Sequence, residues 1–204
     1  MIQQMTMAEY RAAKGISKSD LDLIHRSPAH YQEHKLNPTE PTAAMVWGSM
    51  FHSLLLEPDV FAATYAVMPD GIDRRTKEGK QAWADWQAAN EGKTPVDRPT
   101  LTELVAMRDS VYGCERAKNA LTGGVAEQSL FWDNVIPCKA RPDYTKPGLL
   151  VDIKTCADAR PEAFSKACWN FRYHVQAAWY GAGYRQVTGD DCEFLFVAIE
   201  KTAP

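Results

Sequence analysis

The chain has 204 residues, of which 45% are hydrophobic and 24% charged, the balance of one ordinary globular domain with a sizeable core. Its net charge of −3 excludes a strongly basic coat protein for nucleic acid, but allows an acidic metal site flanked by local basic patches. The five cysteines are spread out with no C-x-x-C pair, which favours free thiols. We find no apolar run long enough for a membrane span and no signal-peptide pattern, so we expect a cytoplasmic protein with no membrane contact.

The N-terminal part, up to about residue 121, is predicted to be helical. Ser17 followed by Asp20 is close to a capping box, and Ser27-Pro28 is typical of an N-cap followed by proline in the first turn. Residues 43–56 are apolar nearly all round, which predicts a buried helix. His52 is the one titratable residue in that helix, and a lone histidine in such a setting is most often a core residue.

A basic segment over residues 73–80 comes next. Its cations are Arg74, Arg75, Lys77 and Lys80. A charge run of this kind is usually a solvated surface, here before a helix predicted over residues 81–89, but its cations are also suited to neutralising phosphates. Residues 90–99 predict a loop, and residues 101–121 predict an amphipathic helix.

Three strands are then predicted as an antiparallel meander, over residues 126–132, 136–143 and 149–154. Helices are predicted from Pro161 to about Asn170 and from Tyr173 to about Val187, and a buried strand from Cys192 to Glu200. The order of these elements predicts an α/β (α+β) fold with a mixed sheet flanked by helices. We expect one domain over residues 1–204, with a helical part over 1–121 and the sheet core over 122–204.

The second and third of these strands carry a group of charged side chains. Side chains alternate along a strand, so Asp152 and Lys154 share one face while Ile153 points into the core, and the hairpin brings Asp143 beside Asp152. Two carboxylates beside an ammonium suit Mg²⁺, which prefers oxygen ligands and keeps waters that a phosphate replaces. The alternative is a polar hairpin with a surface salt bridge.

Other residues are candidates for contact with a phosphate or with the lysine. Lys139, Arg141 and Asp143 are two residues apart on the predicted second strand, so their side chains are expected on the same face. The two cations would then flank a phosphate. Gln176 and Tyr180 lie four residues apart and share a helix face. Tyr173 belongs to the same stripe, which is most often a core boundary, but a glutamine within it is harder to explain as packing.

Together these motifs resemble the PD-(D/E)xK nuclease superfamily, through Pro142-Asp143 followed by Asp152-Ile153-Lys154. Gln176-x-x-x-Tyr180 after the D-x-K strand is similar to the RecB-like and lambda-exonuclease-like branch. The nearest resemblance is to the RecE-type exodeoxyribonuclease VIII catalytic domain, over roughly residues 5–200. It includes the Ser27-Pro28 segment, the His52 helix and the basic segment.

The resemblance implies roles for individual residues. It implies a Mg²⁺ site, which Mn²⁺ would also fill, with ligands from His52, Asp143, Asp152 and the carbonyl of Ile153. Lys154 would orient or deprotonate the attacking water, and Gln176 and Tyr180 would position Lys154, the water or a phosphate. Glu127 would hold a second metal or its water, or else face solvent. The residues expected to contact DNA are Arg74, Arg75, Lys77, Lys80, Lys139, Arg141 and Tyr173. Ser27 stands where several relatives have an iron–sulfur cysteine, so we expect no iron–sulfur cluster.

The implied activity is a Mg²⁺-dependent exodeoxyribonuclease of a phage or prophage. It would degrade one strand of linear double-stranded DNA from the 5′ end and leave a 3′ single strand for recombination. The implied partners are a single-strand annealing recombination protein and further copies of the chain in a ring-shaped homo-oligomer. Alternatives are a structure-specific or CRISPR-adaptation endonuclease on the same core, or a catalytically silent DNA-binding module. Relatives usually extend further, so we expect a C-terminal truncation.

Overall fold

The computed structural model describes residues 1–202, which form ten α-helices and nine β-strands. The helices are α1 (Met7–Ala12), α2 (Lys18–Arg26), α3 (Pro28–Leu36), α4 (Ala43–Leu56), α5 (Pro58–Thr64), α6 (Lys77–Ala89), α7 (Arg98–Gly113), α8 (Glu115–Ala120), α9 (Pro161–Asn170) and α10 (Tyr173–Thr188). The strands are β1 (Ile2–Gln3), β2 (Tyr65–Val67), β3 (Thr94–Val96), β4 (Val125–Ala126), β5 (Ser129–Asn134), β6 (Ile136–Ala140), β7 (Tyr144–Lys146), β8 (Leu149–Cys156) and β9 (Glu193–Glu200). Among these residues, no helix combines the length and apolarity needed to cross a bilayer.

The strands form three sheets. One contains β1, β5 and β6, a second is the parallel pair β2 and β3, and the third has the order β4-β7-β8-β9. In the third sheet β7 is antiparallel to β4 and β8, whereas β8 and β9 run parallel. Parallel neighbours need a crossover connection, which α9 and α10 provide. The mixed sheet flanked by helices that the sequence predicted is therefore present.

Strand β8 lies between the two parts of the core. Val151 and Ile153 pack into the cluster formed with α4 and α7, and Leu150 packs into the cluster beside α10. Because side chains alternate along a strand, Asp152 and Lys154 share the face of Leu150, towards α10. The predicted alternation along this strand is confirmed, and it places two charged side chains beneath a helix.

Close packing holds α10 against the other sheet. A Cβ atom at Gly183 would lie 2.6 Å from Cζ3 of Trp132 on β5, so a larger side chain at that position forces one of the two elements to move. The indole of Trp179, one turn earlier on α10, donates a hydrogen bond to the Lys139 carbonyl at 3.1 Å. These contacts fix the distance of α10 from β5 and β6.

Several local predictions are confirmed. Ser17 and Asp20 form a capping box at α2, and Ser27 caps α3 ahead of Pro28. Helix α4 covers residues 43–56 and α9 covers residues 161–170, as predicted. The β7–β8 hairpin turns at Pro147 and Gly148, and Gly148 has a φ of 74°, which a residue with a side chain adopts only with strain.

The strand pairing differs from the predicted meander. The segment predicted as one strand over residues 126–132 is two strands, β4 and β5, in different sheets. The break falls at Glu127, whose φ of 53° lies in the left-handed region. The next predicted strand ends at Ala140 instead of Asp143, because the chain leaves the sheet of β5 there and enters the third sheet as β7. The alternation of hydrophobic and polar side chains does not show that a chain segment passes from one sheet to another.

Some helix boundaries and burial predictions were also wrong. Helix α6 begins at Lys77, because Thr76 caps it, and the helix predicted over residues 101–121 is divided at Cys114. The predicted loop over residues 90–99 contains β3. Helix α4 is buried on one face only, since Met45 is 58% exposed, and β9 is a mostly half-buried edge strand.

Candidate active site

The β7–β8 hairpin brings Asp143 and Asp152 together. Tyr144 pairs with Val151, so Asp143, which precedes β7, comes level with Asp152. The Asp143 carboxylate accepts a hydrogen bond from the Ile153 backbone N–H at 2.5 Å through Oδ2. Both carboxylates are buried, at 8% and 1% exposure. The structure therefore shows the juxtaposition that the hairpin predicted, with the backbone of β8 fixing one of the two carboxylates.

Asp152 lies between a lysine and a glutamine. Lys154 Nζ is 2.6 Å from Oδ2 of Asp152, and Gln176 Nε2 donates to Oδ1 at 2.5 Å. The contact with Lys154 is an ion pair without hydrogen-bond alignment, since Oδ2 is a buried oxygen with no aligned donor. Gln176 is itself buried, on the first turns of α10. Helix α10 thus fixes the orientation of the Asp152 carboxylate.

Tyr173 and Tyr180 continue this arrangement along α10. The Tyr173 ring centre lies 4.6 Å from Lys154 Nζ, a cation–π contact that helps to fix the ammonium. Tyr180 is half-buried, and its ring lies 6.1 Å from that of Phe194, centre to centre. Burial raises the pKa of Tyr180 well above its usual value, so this hydroxyl stays protonated. Whether these residues position Lys154 or a water stays a prediction, as does a DNA contact by Tyr173.

His52 and Glu127 converge on Asp143 from other parts of the chain. His52 Nδ1, on α4, lies 3.4 Å from Oδ1 of Asp143. Glu127, at the junction of β4 and β5, is buried, and its backbone N–H donates to the Asp143 carbonyl at 2.9 Å. One ligand atom from each of His52, Glu127 and Asp143 lies within 4.8 Å of the other two. Three separated segments thus supply one compact set of ligands.

The charges of this cluster shift its pKa values strongly. Burial lowers the pKa of His52, but the charge and contact of Asp143, together with the charges of Glu127 and Asp152, outweigh burial and raise that pKa to about 9. Burial and the charge of Asp143 raise the pKa of Glu127 to about 7, against the opposing effect of Arg141. Burial and Asp143 likewise raise the pKa of Asp152 to about 7, although Lys154 opposes them. The carboxylates repel one another in the absence of a further positive charge.

The pKa values of Asp143 and Lys154 are shifted in the directions that favour their charged forms. Burial raises the pKa of Asp143, but the neighbouring His52 and Lys154 and the Ile153 N–H hold it below its usual value. Burial lowers the pKa of Lys154, but Asp152 and Asp143 raise it above its usual value. Lys154 is therefore an ammonium at neutral pH.

The donors present fit a divalent metal ion. Two buried carboxylates and an imidazole within reach of one point suit Mg²⁺ or Mn²⁺, which take carboxylate ligands. Burial and the charge of Asp143 raise the pKa of Glu127, so a bound cation would stabilise its anionic form. Glu127 lies with His52 and Asp143 in this compact set, which does not include Asp152. Asp152 pairs with Lys154 through Oδ2, and its role as a metal ligand stays a prediction.

Lys139 and Arg141 do not flank this cluster as free cations, which corrects the prediction made from strand parity. Lys139 is 4% exposed, and its Nζ lies within hydrogen-bond distance of the carbonyls of Tyr10, Arg11 and Ala13. Arg141 donates through Nε to Glu127 at 2.7 Å. Both cations are engaged inside the protein because the N-terminal segment covers them. No sequence pattern links that segment to β6.

The basic segment remains open to solvent. Arg74, Arg75, Lys77 and Lys80 are all exposed, at and before the start of α6. The Arg74 guanidinium lies 4.3 Å from the Trp83 ring centre, and Arg75 is paired with Asp73. Their contact with DNA stays a prediction.

One well-formed cavity lies away from the charged cluster. Its volume is about 650 Å³, and its lining includes Met1, Phe131 and Gln186 but none of the residues of the candidate site. We place the chemistry at the carboxylate cluster, because perturbed ionisable groups converge there and not in the cavity.

Comparison with known proteins agrees with this geometry. Residues 17–204 match the model of a family described as "PDDEXK-like domain of unknown function (DUF3799)". The structure is similar to the crystal structure of a protein from Eubacterium rectale described as "Putative exonuclease", with a TM-score of 0.65 and 16% sequence identity. That match covers 98% of this chain and 75% of the other. No curated protein matches the sequence significantly.

Proposed function

Because this chain belongs to the PDDEXK-like family DUF3799, we propose that it is a metal-dependent nuclease that hydrolyses phosphodiester bonds in DNA. One observation carries the proposal. The β7–β8 hairpin and α10 hold Asp143, Asp152 and Lys154 together in the order of the PD-(D/E)xK motif, with Gln176 donating to Asp152. A polar surface hairpin does not explain this arrangement, because Asp143 and Asp152 are buried.

The side chains available to a metal ion are His52, Glu127 and Asp143, and the Asp152 carboxylate, which is paired with Lys154, is a further candidate ligand. A Mg²⁺ or Mn²⁺ ion bound there would polarise the scissile phosphate and lower the pKa of a water molecule. Asp143 is well suited to this role, because its pKa is low and the Ile153 N–H already fixes its orientation. The proposed ligand set thus draws on three segments of the chain.

Lys154 would act on the phosphate or on the attacking water. Its ammonium is held between Asp152 and the Tyr173 ring, and it is charged at neutral pH. In this form it donates hydrogen bonds to an oxygen on which negative charge develops, or orients a water for attack. Deprotonation of the water by Lys154 is disfavoured in this environment, because a nearby carboxylate stabilises the charged amine.

For the substrate, we propose linear double-stranded DNA, degraded from the 5′ end with release of a 3′ single strand. Support comes from the resemblance of the motifs to the RecE-type family and from the description of the Eubacterium rectale protein as a "Putative exonuclease". Action in recombination, a ring-shaped homo-oligomer and an annealing protein as partner rest on the resemblance alone. The exposed basic segment from Arg74 to Lys80 supplies cations for a DNA backbone.

The test is digestion of end-labelled linear duplex DNA with Mg²⁺, with a covalently closed circle in parallel. We expect nucleotides from the linear DNA only, and the position of the label gives the polarity. Replacement of Lys154 by Ala should lower the rate by about 100-fold or more, because it removes charge stabilisation in the transition state. Lys166→Ala, at an exposed lysine of α9, is the matched control and should leave the rate unchanged.

Three results would change this proposal. Nicking of the closed circle would favour an endonuclease, and activity equal to wild type in Lys154→Ala would reject the assigned site. A wild-type protein that binds DNA but cleaves none of it with Mg²⁺ or Mn²⁺ would indicate a silent binding module.

A further inference from the structure

Two large aromatic side chains are exposed at the turn between α9 and α10. Trp169 is 75% exposed and Phe171 is 61% exposed. Trp169 stacks on His174 with ring centres 5.5 Å apart, and Phe171 stacks on Tyr173 at 5.6 Å. We call Trp169, Phe171 and Tyr173 the aromatic ridge. Adjacent aromatic rings that are exposed to solvent are typical of binding surfaces.

The turn that carries the ridge is held by one hydrogen bond and one ion pair from α2. Lys18 Nζ donates to the Phe171 carbonyl at 2.8 Å and pairs with Asp22 at 2.7 Å. Arg172 Nε lies 3.1 Å from Asp22 Oδ1. Arg172 has a φ of 55°, a conformation that is unfavourable for a residue with a side chain unless its surroundings enforce it. The contacts with α2 fix this turn, so the exposed rings sit on a pre-organised support.

The ridge is continuous with the candidate active site. Phe171 stacks on Tyr173, and the same Tyr173 ring lies 4.6 Å from Lys154 Nζ. A nucleic-acid strand whose phosphate reaches Lys154 would therefore place a base next to Tyr173 and Phe171. Because Phe171 is 61% exposed, this stacked pair is open on the Phe171 side to a base of such a strand.

We propose that Trp169 and Phe171 stack on unpaired bases of the DNA strand that enters the active site. This inference rests on the proposed nuclease function, and it adds the substrate form: the strand next to the site is single, either as the substrate itself or after opening of a duplex end. Aromatic rings take any base, because every base has a π-face, so the contact is independent of sequence. Lys154, beside Tyr173 of the ridge, supplies positive charge for the backbone of the same strand.

The test is a binding measurement by fluorescence anisotropy, with Ca²⁺ replacing Mg²⁺ to prevent turnover. The probes are a labelled oligothymidine of about 12 nucleotides, the same strand with abasic sites in place of its bases, and a duplex closed by hairpins at both ends. The variants are Trp169→Ala, Phe171→Ala and the conservative Trp169→Phe. Leu36→Ala is the matched control, since Leu36 is 77% exposed on another helix.

The expected result is a loss of affinity for the oligothymidine of about 5- to 100-fold in each alanine variant, the effect of one lost base stack. Trp169→Phe should retain most of the affinity. Binding of the abasic strand and the closed duplex should be unchanged, and Leu36→Ala should match wild type.

Other outcomes overturn the proposal. An equal loss on abasic and normal strands would show that the rings do not stack on bases, and so would unchanged affinity for the oligothymidine. A change of oligomeric mass in the alanine variants would assign the ridge to contact between copies of the chain. Cleavage by the wild-type protein is measured separately: intact binding through the ridge without any cleavage would leave this inference standing and reject the nuclease function.

Discussion

Arg141 is the residue that connects the N-terminal segment to the candidate metal site. Its Nη1 donates to the Met5 carbonyl at 2.9 Å and to the Ser129 hydroxyl at 2.8 Å, while its Nε donates to Glu127. Arg141 and Glu127 are each 7% exposed, so the pair is buried. A buried ion pair adds little net stability, but loss of one partner leaves an uncompensated charge. Arg141 thus holds Glu127 in the orientation in which it faces His52 and Asp143.

The buried pair gives a stability prediction. Arg141→Met should lower the free energy of unfolding by about 3–5 kcal/mol, because Glu127 then stays buried without its cation. Urea unfolding at neutral pH without metal measures this change. The double variant Arg141→Met with Glu127→Gln should regain part of the loss, since no charge remains unpaired. A double variant as unstable as the two single changes added together would contradict this account.

At the scale of elements, α10 links the two sheets and supplies the site. Its first turns place Tyr173 against Lys154 and Gln176 against Asp152, both on β8 of the four-stranded sheet. Further along, Gly183 lies against Trp132 of the other sheet. A change that moves the second half of α10 would therefore also move Gln176 and alter its hydrogen bond to Asp152.

Two glycines of α10 provide a matched pair for testing this packing. Gly183→Ala should destabilise the protein by about 1–3 kcal/mol, because a Cβ there lies 2.6 Å from the Trp132 ring. Gly181→Ala, with nothing within 4 Å of the added Cβ, should stabilise it by up to about 1 kcal/mol through helix propensity. Thermal unfolding of the two variants checks the opposite signs. If both variants shifted in the same direction, the close approach of α10 to β5 would not be limiting.

At the scale of the whole molecule, the fold places three buried carboxylates of Glu127, Asp143 and Asp152 close to one another. Burial raises the pKa of Glu127 and of Asp152, and the charge of Asp143 raises both further, so the folded state disfavours ionisation of all three at once. His52 and Lys154 compensate only in part. A divalent cation would supply the missing charge, and it would bind the folded chain far better than the unfolded one, where these residues are apart.

Metal binding should therefore raise the melting temperature. At a Mg²⁺ or Mn²⁺ concentration about 100 times Kd, linkage gives about 2.7 kcal/mol of stabilisation, or about 5–10 °C for a chain of this size. Asp143→Asn should abolish the increase, whereas Asp85→Asn, at an exposed carboxylate of α6, should preserve it. Differential scanning fluorimetry with and without metal measures both. The same increase in wild type and Asp143→Asn would place the ion elsewhere.

Sequence alone determined what depends on neighbours along the chain. The caps at Ser17 and Ser27, the bounds of α4 and the hairpin that brings Asp143 beside Asp152 were all predictable. Each follows from capping side chains, helical periodicity or a short turn, which are local interactions. The superfamily motif on this hairpin is therefore recognisable in the sequence alone.

Only the tertiary structure decided what depends on distant segments. The change of sheet at Glu127 places this residue with His52 and Asp143, and alternation along a strand gives no sign of it. The burial of Lys139 and Arg141 comes from contacts with Tyr10 and its neighbours, more than 120 positions away in the chain. The free energy of those contacts depends on packing and desolvation in the folded chain, which no local pattern records.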